Sequence, residues 1–195
     1  LRSLYKKSSI NLFVISGLIF LCIVLNINEL YKIIPDEFSV ALLVVFLVSL
    51  AKLFDNLLGN NNAILFNSDY YRVVLVLGVV LAILTVVLNI LLIPDYGING
   101  AALATFISIF IYNSAKLIFV YYKFKMLPFS TNTLKTIILI VISIAVFYFW
   151  EFQFHPIINI ILKSVLIGLS YVFVVYRFNL SEDIKAILKK FISKK

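Results

Sequence analysis

Apolar residues run unbroken or nearly so over 10–28, 39–58, 72–93, 98–122, 133–150 and 157–176, and each stretch is close to the roughly 20 residues that a helix needs to cross hydrocarbon. None of them alternates apolar with polar at period two, which sets aside the strands of an outer-membrane barrel. The pattern predicts an all-α integral membrane protein with about six transmembrane helices, residues 1–180 forming one bundle. Helix breakers fall between the stretches: Pro35-Asp36-Glu37, Gly59-Asn60-Asn61-Asn62, Asp95-Tyr96-Gly97, Pro128 and His155-Pro156. After residue 180 the pattern changes. Ser181 with Glu182 and Asp183 reads as a cap and acidic first turn, followed by Ile184, Ile187, Leu188, Phe191 and Ile192 at helical spacing. Residues 181–195 are therefore expected to hold a short basic amphipathic helix on the membrane surface.

Composition removes the soluble alternative. The 195 residues are 63% hydrophobic and 13% charged, with a mean hydropathy of +1.10, whereas a water-soluble domain carries about 25% charge. Lys and Arg outnumber Asp and Glu 17 to 9, giving a net charge of +8; in so apolar a chain this excess reads as topology and not as nucleic-acid binding. Arg2, Lys6, Lys7, Arg72, Lys123, Lys125, Lys135, Arg177 and the lysine-rich tail fall on one side of the expected spans. Glu29, Lys32, Asp36, Glu37, Asp95 and Glu151 fall on the other. The positive-inside rule places both ends in the cytoplasm. The single cysteine, Cys22, lies in an apolar run and supports no disulfide or CxxC motif. The chain opens Leu1-Arg2-Ser3 without an initiating methionine and reads as a piece of a longer protein. A cleaved leader is not expected, because the apolar stretch is long for a signal peptide and no small-residue cleavage site follows it.

Charged residues within hydrocarbon are costly and point to function. Lys163 lies about seven residues, roughly 10 Å, into the last stretch, and is the leading cavity-lining candidate. Lys116 lies near the inner end of its stretch, where its ammonium is expected to snorkel to the headgroups. Lys52 and Asp55, at i,i+3 on one helix, are expected to neutralise one another. His155 with Glu151 is the one potential acid/base pair, read as an ordinary interfacial loop. No nucleotide-binding or zinc motif occurs, and no cofactor or metal is expected.

The segment Asn89-Ile90-Leu91-Leu92-Ile93-Pro94-Asp95-Tyr96-Gly97-Ile98-Asn99-Gly100-Ala101-Ala102-Leu103-Ala104-Thr105 reads as a helical hairpin. Pro94 is expected to end one helix and Gly97 to permit a reversal, while Gly100, Ala101, Ala102, Ala104 and Thr105 give the next helix a small face for backbone-close packing.

This segment resembles the N-x-x-L-I-P-x-Y-G-x-x-G-A-A-x-A-T signature of the polysaccharide, or O-antigen, flippase family within the multidrug/oligosaccharidyl-lipid/polysaccharide exporter superfamily. The segments Leu50-Ala51-Lys52-Leu53-Phe54-Asp55, Ser68-Asp69-Tyr70-Tyr71-Arg72 and Pro128-Phe129 are similar to those flanking the hairpin in that family. The chain departs from it at Gly59-Asn60-Asn61-Asn62-Ala63, where the family's Gly-x-Asn-Gly-Glu carries a carboxylate. The resemblance implies a two-lobed transporter of about twelve to fourteen helices, of which this chain is most of the carboxy-terminal lobe and the amino-terminal half is missing. It implies transport, not catalysis: an undecaprenyl-diphosphate-linked oligosaccharide, the repeat unit of O-antigen, capsule or exopolysaccharide, is flipped across the bacterial inner membrane by alternating access. A proton or sodium ion is the expected coupling ion. Lys163, Lys52 and Lys116 would offer positive charge to the anionic headgroup, with Asp55 beside them. The alternatives are an integral-membrane glycan polymerase or ligase, and a related exporter of drugs or of the lipid-linked peptidoglycan precursor.

Overall fold

A computed structural model describes residues 1–35, 42–150 and 152–192. Asp36, Glu37, Glu151 and the last three lysine-tail residues lie outside the described residues, as do the side chains of Phe191 and Ile192. Among the described residues there are seven helices and no strand: α1 (Arg2–Tyr31), α2 (Leu42–Leu57), α3 (Asn61–Phe66), α4 (Tyr71–Phe124), α5 (Thr131–Tyr148), α6 (Pro156–Arg177) and α7 (Glu182–Ile192). Four of these, α1, α4, α5 and α6, are long and apolar enough to cross a membrane. The protein is all-α and its helices are those of a membrane protein.

The chain divides into two compact units. Leu1–Ser9 with Ala41–Pro128 form the first, and Ile10–Val40 with Phe129–Lys195 the second, so α1 gives its opening turns to one and the rest to the other.

In the first unit, the stretches expected at 72–93 and 98–122 form one 54-residue helical run, α4. It does not extend straight. Gly97 has φ 54° and ψ −132°, a conformation open to glycine because a Cβ would clash there. The two ends of α4 then meet: the ring of Tyr70, its N-cap, lies 5.8 Å from that of Phe124, and Lys123 Nζ stands 5.2 Å from the Tyr70 ring. A straight run of this length would hold them about 80 Å apart. Val74 and Val120 likewise share a buried cluster with Tyr5, Ile64, Leu65 and Met126. The helix continues through Pro94 and reverses only at Gly97, which corrects the expectation that Pro94 ends it. A proline near the end of a helical limb forfeits one backbone bond and is tolerated there. Gly100 is buried, and a Cβ on it would strike the carbonyl of Leu92, so the limbs touch backbone to backbone through the expected small face. Asn89 lies on the first limb, half-buried, and its amide donates to the Thr85 carbonyl at 2.8 Å on its own helix.

The limbs differ in exposure. On the first, Leu75, Val76, Val79, Ile83, Val86, Ile90 and Leu91 are all exposed, a surface that requires apolar surroundings. The second buries Ala102, Ala104, Ser108, Asn113 and Lys116 and receives α2 and α3, with Phe54 stacked on Phe110 at 4.9 Å.

In the second unit α1 and α6 run antiparallel, joined by a ladder of hydrogen bonds. Tyr171 Oη donates to the Val14 carbonyl at 3.0 Å, Asn26 Nδ2 to Ser164 Oγ at 3.1 Å and Asn159 Nδ2 to Glu29 Oε2 at 3.1 Å. A Cβ at Gly17 would meet Ile140 and Tyr171 side-chain atoms at 2.8 Å, so glycine lets α1 sit close at that level. Ser130 and Thr133 form a capping box at the start of α5, and His155 with Pro156 opens α6. Asn179, at φ 51°, turns α6 into α7, and Leu180 N donates to the Val175 carbonyl at 3.1 Å.

Candidate functional site

The two units each carry a lysine inside apolar helices. In the first, Lys116 is 1% exposed and its Nζ lies 2.8 Å from Asn62 Oδ1 on α3 and 4.2 Å from the Tyr112 ring centre. It is anchored inward by an amide and an aromatic face, and does not snorkel as its place near the helix end predicted. Asp55 lies near enough for its charge to act on both Lys116 and Tyr112. Lys52 is exposed, and among the described residues no ion pair joins it to Asp55. The expected i,i+3 ion pair does not form: Lys52 is exposed while Asp55 is half-buried, and the charge of Asp55 acts instead at longer range on Lys116.

Two asparagines complete this neighbourhood. Asn61 precedes Asn62 at the start of α3, and Asn113 lies one turn before Lys116. Each is 1% exposed, and neither its Nδ2 nor its Oδ1 has a protein partner. Buried amides are nearly always hydrogen-bonded, so both present donors and acceptors that a water molecule or a polar ligand can use. On these neighbouring turns of α3 and α4 the protein offers an ammonium and amides without protein partners, groups of the kind that recognise hydroxyls and anionic oxygens.

In the second unit Lys163 is 7% exposed and lines a cavity of about 30 Å³ with Glu29, Asn28, Asn159, Tyr148 and Trp150. That space holds about two water molecules and no sugar ring. Glu29, read from sequence as an outer-loop residue, is itself 7% exposed on α1; its Oε1 accepts from Lys32 Nζ at 2.6 Å, and the charge of Lys163 acts on it. Asn159 Nδ2 lies within bonding distance of Glu29 Oε2 and of the Phe152 and Phe154 carbonyls, at 3.1, 3.0 and 3.2 Å. Its Oδ1 accepts from Phe154 N at 3.3 Å. The 152–156 turn is thereby tied to both α1 and α6. His155 Nδ1 accepts from Ile157 N at 3.4 Å and serves as the α6 cap; its expected neighbour Glu151 lies outside the described residues.

Sequence reasoning found both lysines and the hairpin but missed Glu29, Asn61, Asn113 and Asn159. The available signal was a set of asparagines inside or at the edge of apolar helices, where an amide is nearly as conspicuous as a charge.

Comparison with family models, with curated proteins and with solved structures finds no match for the chain.

Proposed function

We propose that the chain is the carboxy-terminal part of a membrane transporter that flips an undecaprenyl-diphosphate-linked oligosaccharide across the bacterial cytoplasmic membrane. In this reading the two limbs of α4 are separate crossings and α2 is another, giving six in all with both ends cytoplasmic. The resemblance of the hairpin to the flippase signature supports it. The observation that carries it is the Lys116 neighbourhood: an ammonium buried among apolar helices beside amides that the protein itself leaves without partners. A sugar diphosphate must exchange its hydration for such groups when it passes hydrocarbon. Lys116, Asp55, Asn61 and Asn113 are assigned to contact the polar headgroup, and Lys163 to holding α1 against α6.

The test is complementation. Cells lacking their own flippase receive the full-length gene, with this region intact or deleted. Return of surface glycan only with the intact gene supports flipping. Continued export without the gene, with glycan left unpolymerised or unattached, identifies a polymerase or ligase instead.

A further inference from the structure

The second unit carries an apolar groove of about 350 Å³ that the transport reading does not use. Its walls are Ile138 and Ile142 of α5, Val174 of α6, and Phe178 and Leu180 of the turn beyond; Lys135 is the polar residue in the lining. Ile138, Ile142 and Phe178 are exposed, so the groove opens outward along two helices long enough to span a bilayer. From Lys135 to Ile142 it follows α5 for about 10 Å. An outward apolar groove at this depth is filled by an acyl chain in any membrane. The lysine makes the site selective.

Lys135 stands in the opening turns of α5 and is exposed; among the described residues it makes no hydrogen bond or ion pair. Its side chain is therefore open to a ligand in the groove, in the opening turns of α5 where the helix dipole is positive. Other cations gather at the same end. Asn132 Nδ2 bonds the Asn179 carbonyl at 3.3 Å, which ties the start of α5 to the α6–α7 turn. Arg177 is the last residue of α6, and Lys185 stands 5.6 Å from the Tyr176 ring. The direction of α7 is fixed as well: Asn11 Nδ2 donates to Asp183 Oδ2 at 2.7 Å, and Ser181 Oγ bonds Asn11 Oδ1. Of the two carboxylates in the first turn of α7, Glu182 and Asp183, Asp183 is thereby engaged with α1.

We propose that this groove is a binding site for an anionic phospholipid, its acyl chain against Ile138, Ile142 and Phe178 and its phosphate on Lys135. The inference rests on the chain lying in a membrane and not on what it transports. Native mass spectrometry of the full-length protein, released from detergent with equal phosphatidylglycerol and phosphatidylethanolamine, tests it. The anionic lipid is expected to be retained about fivefold more, the factor for one lysine at an anionic headgroup. Lys135→Gln should bring the ratio close to one, and Lys135→Arg should keep it. Ile142→Trp, which fills the groove, should lower retention of both lipids. Equal retention by the unaltered protein, an unchanged preference in Lys135→Gln, or undiminished binding in Ile142→Trp would each overturn the proposal. Displacement of phosphatidylglycerol by equimolar undecaprenyl phosphate would also overturn it, by giving the groove to the lipid carrier.

Discussion

Around Lys163 all but one of the partners are occupied: Glu29 is held by Lys32 and Asn159, Asn159 is bonded to the turn at residues 152 and 154, and the Asn26 amide donates to Ser164 with only its Oδ1 left open. Around Lys116 one amide, Asn62, is engaged, while Asn61 and Asn113 are buried without protein partners. Both lysines are placed in apolar helices, and burial alone does not tell them apart. Saturation does. A buried polar group whose bonds are all made within the protein acts as a fastener. One whose neighbours retain free donors and acceptors can receive something else, so the less tidy site is the better candidate for ligand contact even though Lys163 lies deeper by sequence.

The comparison can be attacked at several strengths. It depends first on the hairpin that carries Lys116 into the first unit, and Gly100→Leu should do the most damage. Its side chain would meet the Leu92 carbonyl, and backbone that cannot yield is expected to cost about 3 kcal/mol or more, read as loss of folded protein in detergent. Gly78→Leu, with open space around its Cβ, should leave yield unchanged. Next, Asn159→Ala removes a multiply bonded amide and should lower stability by about 2–3 kcal/mol, seen as a lower midpoint of thermal unfolding. Asn62→Ala, which removes one bond to the Lys116 ammonium, should cost about 1.5 kcal/mol. If Asn62→Ala proves the more damaging, the saturated and unsaturated sites have been assigned the wrong way round. Tyr171→Phe removes a single rung of the α1–α6 ladder, worth about 0.6 kcal/mol in a membrane protein. Smallest of all, Asn113→Leu should leave stability level or slightly raised, since it replaces an unpartnered buried amide with a side chain of similar size. A marked loss of stability there would mean that the Asn113 amide is already structurally engaged.

Much of this was legible along the chain. Four of the expected apolar stretches coincide with membrane-length helical limbs or helices to within a few residues, and Gly97 and Gly100 marked the reversal because glycine is needed both for a positive φ and for close backbone approach. The amphipathic helix after Ser181 was legible from its cap and spacing. What escaped was which way polar side chains face. Lys116 sits near a helix end, where distance to water predicts snorkelling, but its inward partner Asn62 comes from a helix 54 residues earlier in the chain. Glu29 looked like a loop carboxylate because its partner Asn159 is 130 residues away. Local spacing likewise favoured Lys52–Asp55, whereas the charge of Asp55 acts on Lys116, 61 residues away in the chain and on α4, which packs against α2.

The most direct test measures stability and glycan export together for Lys116→Met and Lys163→Met in the full-length protein. Replacing Lys116 is expected to cost no more than about 1 kcal/mol, the loss of its one bond to Asn62 being offset by relief of a buried charge, and to reduce export at least tenfold. Replacing Lys163 is expected to lower stability by about 2–3 kcal/mol, toward the loss seen when one member of a buried charged network is removed, with export falling only as far as the amount of folded protein does. Full export by a stable Lys116→Met protein, or abolished export by Lys163→Met at unchanged stability, would contradict the account.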